Sequence, residues 1–263
     1  MASLEGIEAM LVDLDGVLYV EDSPVPGAAE AVGRLREAGL GLRFVTNTTA
    51  RSRAQTLEKL GRLGFEVEPD ELITPAALAR RHCAERGHEA VALIMNDDVK
   101  DDFGGLREVG EGSGEEPDAV IMGDLGEAFG FPILNRAFRM VMDGAELIAL
   151  QKNRFWLTDE GLSLDAGPFV AAIEYASGRD AYVVGKPAPA FFEGVLGGLG
   201  ADAGDAAMVG DDVESDVAGA MNEGLAGILV RTGKYREAFV RESGVEPTAT
   251  VDSIADVPGL IGA

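Results

Sequence analysis

Two aspartates one residue apart follow a short apolar run in Ala9-Met10-Leu11-Val12-Asp13-Leu14-Asp15-Gly16. A carboxylate at the end of a buried strand can attack phosphorus, and the acyl phosphate so formed divides one difficult displacement into two easier ones. Residues i and i+2 of an extended strand share a face, so Asp15 is expected on the same side as Asp13. From there it could protonate a leaving oxygen and later activate water. Gly16 permits a tight turn close to a ligand. The same residues could open a calcium loop, but that loop's remaining ligands and closing glutamate do not follow.

Three later segments carry groups suited to the same chemistry. Thr46 and Asn47 follow Leu42-Arg43-Phe44-Val45, Lys186 follows Val183-Val184-Gly185, and Asp211 with Asp212 follows Ala206-Ala207-Met208-Val209-Gly210. Thr46 can donate a hydroxyl hydrogen bond to a phosphoryl oxygen, and Lys186 supplies a point positive charge. Two carboxylates such as Asp13 and Asp211 tolerate one another when a cation holds them, and Mg²⁺ prefers carboxylate oxygen. Singly, each segment has a plain structural reading. Thr46-Asn47 would cap a helix, Lys186 would be a loop lysine, and Asp211-Asp212 with Asp216 would favour the start of the next helix. Together, at four expected strand ends, they point to one site, because open parallel sheets bind ligands outside the carboxyl ends of their strands.

The elements that must position these residues alternate between apolar β-branched runs and helical patterns, the grammar of βα units. A helix is expected where Ala28, Ala31, Val32 and Leu35 repeat at helical spacing, ending at Gly39, and another through Leu57, Leu60 and Leu63, ending at Gly64. Near the other end, a strand over Ala206–Val209, a helix from Val217 to Met221 and a strand over Gly227–Val230 repeat the pattern. Between them, Val91–Met95, Ala119–Met122 and Leu147–Leu150 read as strands and Ile133–Met142 as a helix. Glu111–Glu116 reads as a loop. The acidic strand ends lie at both extremities of the chain, so the middle must be an insertion that leaves the core and returns. The expected core comprises residues 1–78 and 182–263, with an inserted domain over 79–181.

Composition bounds the partners. A net charge of −24 over 263 residues repels nucleic-acid phosphates and anionic lipid, so neither is expected as a partner. No apolar run reaches the roughly 18 residues of a membrane span. The N-terminal Met-Ala-Ser-Leu-Glu-Gly is not expected to act as a secretory signal, and a single cysteine excludes an internal disulfide, so a cytoplasmic location is expected. Cys83 lacks the arginine six residues on that a cysteine phosphatase needs, since position 89 is Glu, and His82 and His88 are read as structural. Gly197-Gly198-Leu199-Gly200 follows a helical pattern and reads as a helix terminus.

The set Asp13-Leu14-Asp15-Gly16-Val17, Thr46-Asn47, Lys186-Pro187 and Gly210-Asp211-Asp212 with Asp216 resembles, in this order, the four motifs of the haloacid dehalogenase superfamily. The insertion is similar to the large α/β cap of its NagD-like branch, subfamily IIA. The resemblance covers essentially the whole chain. It implies a three-layer α/β/α doubly wound parallel sheet with an inserted α/β cap domain, and a Mg²⁺-dependent phosphatase acting on a small phosphorylated molecule. It implies Asp13 as nucleophile and metal ligand, Asp15 as acid and base that also binds metal through its backbone carbonyl, and Asp211 as the third protein ligand. Asp212 and Asp216 would orient the metal's waters, and Thr46, Asn47 and Lys186 would hold the phosphoryl group. In the cap, Asn153, Arg154 and Trp156 would face the substrate, although Phe155 and Trp156 equally suit a packed cap interior. A homodimer through the cap is compatible with the resemblance. A dehalogenase sharing the nucleophile, a phosphoryl-transfer mutase, and a non-catalytic binding protein on the same fold are the alternatives.

Overall fold

The computed structural model describes residue 4 and residues 6–110, 112–158 and 161–262. Parts of the N-terminal hexapeptide and Glu111 of the expected loop lie outside the described residues. The chain divides into two compact units, one of residues 1–46, 54–73 and 186–263, the other of residues 47–53 and 74–185.

The first unit is built on six strands, all parallel, in the order Ala249–Val251, Ala226–Val230, Ala206–Gly210, Ala9–Asp13, Gly41–Val45, Leu72–Ile73. From Ala9–Asp13 the chain winds one way through Gly41–Val45 and later the other way through Ala206–Gly210. The boundary between these last-named neighbours of the central strand is therefore the switch point at which a doubly wound sheet opens a crevice. Alternate residues along each strand feed the two faces. Met10, Val12, Ile228 and Val230 pack with Ala28, Val32 and Leu35 of the helix Ala28–Glu37, whereas Leu229 packs on the opposite side with Val213 and Val217. Three layers result, with helices on both faces, which is why these strands read as continuous apolar runs.

The second unit carries its own five-stranded parallel sheet, ordered Tyr182–Val183, Glu146–Ala149, Ala119–Met122, Ala90–Ile94, Arg107–Glu108. The helices Phe131–Asp143 and Ala166–Ser177 cover one face through Ala137, Val141, Val170 and Ile173. An antiparallel hairpin, Phe155–Thr158 with Gly161–Leu164, stands outside this sheet. The helix Pro75–Arg86, which an expected boundary at 78 would divide, belongs whole to this unit. Tyr182–Val183, expected in the segment 182–263, hydrogen-bonds to the second sheet instead. Lys186 therefore arrives on a loop and not from a strand end of the first sheet.

Most helices and strands fall within a residue or two of their expected places. The segment after Asp212 differs. Val213–Ala218 winds as a π-helix before the short α-helix Gly219–Asn222. The wider turn is a recognised marker of functional positions, and here it carries Asp216 back toward Asp212, whose N–H it accepts at 3.2 Å. Among the described residues no helix is long and apolar enough to cross a membrane.

Candidate active site

Register alone brings three of the expected groups together. Asp13 is in register with Val45, so Thr46, buried, lies one residue beyond it on one side. Val12 is in register with Val209, so Asp211 lies beyond the paired strand on the other side. Lys186 completes the group. Its ammonium is buried and donates to Asp13 Oδ1 at 2.6 Å, while lying 2.7 Å from Asp216 Oδ1. One carboxylate oxygen from each of Asp13, Asp211 and Asp216 lies within 4.8 Å of the other two.

This cluster is electrostatically unbalanced. Three buried carboxylates crowd together, with the Lys186 ammonium on Asp13 and Asp216 and the Lys234 ammonium farther out, so negative charge is in excess when all are ionised. Burial raises the Asp13 carboxyl above its ordinary range even though Lys186 opposes the rise. Burial, reinforced by Asp13 and Asp216, pushes Asp211 up to about 8. Burial likewise pushes Asp216 up to about 6, against the pull of Lys186. Lys186 is itself buried, which opposes its charge, yet Asp13 and Asp216 hold it well above the ordinary lysine value. Carboxyls raised in this way are those that a cation bound among them would bring down again. The donors are all carboxylate oxygen, the set a hard divalent cation takes in preference to zinc or copper. The residues present therefore fit a divalent metal ion.

Asp15 stands apart from this trio. Its side chain is exposed, and its Oδ2 accepts from the Tyr19 hydroxyl at 3.2 Å. Asp212 caps the following turn, its Oδ1 accepting from the N–H groups of Glu214 and Ser215 at 3.0 Å each. Asp216, expected to act on waters only, offers a carboxylate oxygen as close to the cluster as Asp13 and Asp211 do. Asn47 belongs to the second unit.

One loop was not among the expected strand ends. Arg231-Thr232-Gly233-Lys234 follows the strand Ala226–Val230, and its residues close around Asp211. The Lys234 backbone N–H donates to Asp211 Oδ2 at 2.7 Å, and the Thr232 hydroxyl donates to the Gly16 carbonyl. The backbone of Gly233 lies so near the Asp211 carboxylate that a Cβ there would overlap it. Thr-Gly after an expected buried strand was the available signal, in a parallel sheet whose other strand ends already carried polar groups.

In the second unit Phe155 and Trp156 are about half exposed, at 49% and 55%, so the packed reading of these aromatics does not hold. Asn153 donates its N–H to Gln151 Oε1 at 2.5 Å and its carbonyl accepts from Gly167, and the exposed Arg154 lies 5.6 Å from the Phe155 ring centroid. His82 and His88 both bond Glu146, at 3.0 and 2.6 Å, and His82 stacks on Tyr182. Cys83 is buried, and burial pushes its thiol up to about 11.

Clustered aspartates and a buried lysine at the switch point of a parallel sheet define a hydrolase class that the comparisons identify. Residues 10–107 match the family model described as haloacid dehalogenase-like hydrolase, and residues 183–257 match a HAD-hydrolase-like model. The chain is 44% identical over 253 residues to human haloacid dehalogenase-like hydrolase domain-containing protein 2, covering 96% of this chain and 95% of that one. It is 37% identical over 264 residues to human phospholysine phosphohistidine inorganic pyrophosphate phosphatase, covering 98% and 95%. Its fold superposes on the p-nitrophenyl phosphatase from Archaeoglobus fulgidus with a TM-score of 0.89, at 27% identity and covering 97% and 99% of the two chains. The chain belongs to the haloacid dehalogenase-like hydrolase family and is an enzyme of that type.

Proposed function

We propose that this hydrolase is a Mg²⁺-dependent phosphatase that works through an aspartyl-phosphate on Asp13. The observation that carries the reading is the buried trio Asp13, Asp211 and Asp216 at the switch point of the sheet, with the Lys186 ammonium paired to Asp13 and Asp216. Asp13, Asp211 and Asp216, with the backbone carbonyl of Asp15, are the groups that would hold the ion. When bound, it neutralises the carboxylates and stabilises negative charge developing on the phosphoryl group.

An Asp13 oxygen attacks phosphorus, and the bond from phosphorus to the leaving oxygen breaks. Asp15 gives that oxygen its proton. Lys186 keeps Asp13 and the phosphoryl oxygens from repelling one another, and the Thr46 hydroxyl donates to one of those oxygens. Asn47 is a further donor to the phosphoryl group on the family resemblance. Water then attacks the same phosphorus, Asp15 takes its proton, and phosphate leaves with Asp13 restored.

A small phosphorylated molecule is the expected substrate, whether phosphomonoester, phosphoramidate or pyrophosphate. The exposed Arg154 and Trp156, with Asn153, are the candidates for choosing among them. Phosphate release is measured over a phosphoester panel with Mg²⁺ and with chelator. Phosphate release that persists in chelator refutes the metal-dependent mechanism, and no release from any ester with Mg²⁺ present favours the dehalogenase or the binding protein.

A further inference from the structure

Lys59 is a buried lysine that the mechanism above does not use. It sits in the helix Arg53–Arg62, and its ammonium lies 4.1 Å from the centroid of the Tyr19 ring. It also donates to the Glu21 carbonyl at 2.7 Å and approaches the exposed Asp22 carboxylate at 3.5 Å. Glu21 has a φ of 55°, in the left-handed region that a glutamate seldom takes. Glu21 and Asp22 form the turn between the paired strands Tyr19–Val20 and Ser23–Pro24. The ammonium thus holds that turn by its carbonyl and the adjoining ring by its face, a contact whose attraction grows once water is excluded.

Tyr19 in turn reaches Asp15 and the residue after it. Its hydroxyl donates to Asp15 Oδ2 at 3.2 Å, and its carbonyl accepts from the Gly16 N–H at 2.7 Å. Asp15 is exposed, whereas Tyr19 is almost wholly buried. A buried donor on an exposed carboxylate restricts where its second oxygen points.

We infer that Tyr19, braced by Lys59, is a positioning residue that aims the Asp15 carboxyl at the leaving oxygen. The inference rests on the reading of Asp15 as acid and base.

The test compares kcat/KM on two substrates, p-nitrophenyl phosphate and the alkyl phosphate that the enzyme turns over fastest. The nitrophenolate leaves with little help from an acid, whereas an alkoxide must be protonated. Tyr19→Phe should lower kcat/KM about tenfold on the alkyl ester, a part of the roughly hundredfold or more that general acid catalysis contributes. It should change the value little on the aryl ester and leave the thermal midpoint in place. Equal losses on both esters, or none on either, overturn the inference. Asp15→Asn distinguishes the two levels. If it keeps alkyl-ester activity, the acid role itself fails and takes the inference with it. If it shows the substrate split and Tyr19→Phe does not, only the Tyr19 role fails. Lys59→Met should show the same split, and the double variant should lose no more than the worse single, as for residues acting in one chain. Additive losses on the alkyl ester overturn the part assigned to Lys59.

Discussion

The α-carbon of Gly16 lies directly against the carboxylate of Asp211, so closely that no side chain fits between them. Gly16 also has a φ of +83°, which other residues adopt only at a cost of about 1–2 kcal/mol. Gly16→Ala should therefore displace Asp211 as well as strain the turn. The Mg²⁺ concentration giving half-maximal activity should rise by about tenfold or more, the scale of a lost support behind a metal ligand. A metal titration of initial rates reads this directly, and an unchanged midpoint would mean that Asp211 does not bind the ion.

Asp13→Asn should lower kcat by roughly four orders of magnitude or more, as nucleophile removal does in other covalent hydrolases. The fold should survive, because asparagine can still accept from Lys186. In chelator the variant should melt no lower than the wild type, since it removes one of three crowded negative charges. A variant of wild-type activity would end the aspartyl-phosphate mechanism.

The metal-free protein should lose stability as pH rises. Asp211 and Asp216 have folded values of about 8 and about 6, both above the ordinary aspartate value. A carboxyl raised on folding binds its proton more tightly in the native state, so its stabilisation is complete at low pH and is lost as pH climbs through the folded value. Thermal melts in chelator from pH 5 to pH 8.5 should fall by several degrees, given that about 1 kcal/mol moves the midpoint by about 2–4 °C at this size. Saturating Mg²⁺ should flatten the slope, because the ion replaces the protons. A flat profile in chelator would show that the carboxylates are not crowded.

Lys186→Met leaves Asp13 and Asp216 buried without their ammonium. Stripping one partner from a buried ionic group costs about 3–5 kcal/mol. The loss should be greatest near pH 8 and smaller near pH 5, below the value of about 6 at which Asp216 takes up its proton. Chemical denaturation at the two pH values measures the difference, and equal losses would contradict the ion-pair geometry.

Much of this site is legible in the amino-acid sequence, for a definable reason. Parallel strands buried on both faces are nearly all apolar, so a polar residue at their ends stands out, as Asp13, Thr46 and Asp211 do. Alternation also carries the layer assignment, with Ile228 and Leu229 turned to opposite helices. What escapes a sequence reading has a different origin. Asp216 is legible as a residue near the metal, but not its place in the carboxylate trio on the π-helix Val213–Ala218, which no composition rule distinguishes from an α-turn. Thr232 acts through a hydroxyl on a carbonyl, and Lys234 through a backbone N–H available to any residue but proline and through an ammonium 3.9 Å from Asp212, neither marked by hydropathy. Lys186 follows an apolar pair that reads as a strand of the first sheet and belongs to the second, since hydropathy does not report a strand's partner.

The pairing of Ala9 with Ala206 has a consequence for how the chain is made. Asp13 emerges from the ribosome early, and the strand that must lie beside it is synthesised after the whole of residues 74–185. At 5–20 residues per second that wait is about 10–40 s. All five strands of the second sheet come from one unbroken stretch, which can close meanwhile. Through that interval Ala9–Asp13 has an unfilled edge, and the acidic trio cannot exist. The enzyme is thus assembled inside out, its intervening unit first and its reactive centre last, so a truncated translation product ending before Ala206 would be catalytically silent however well its middle had folded.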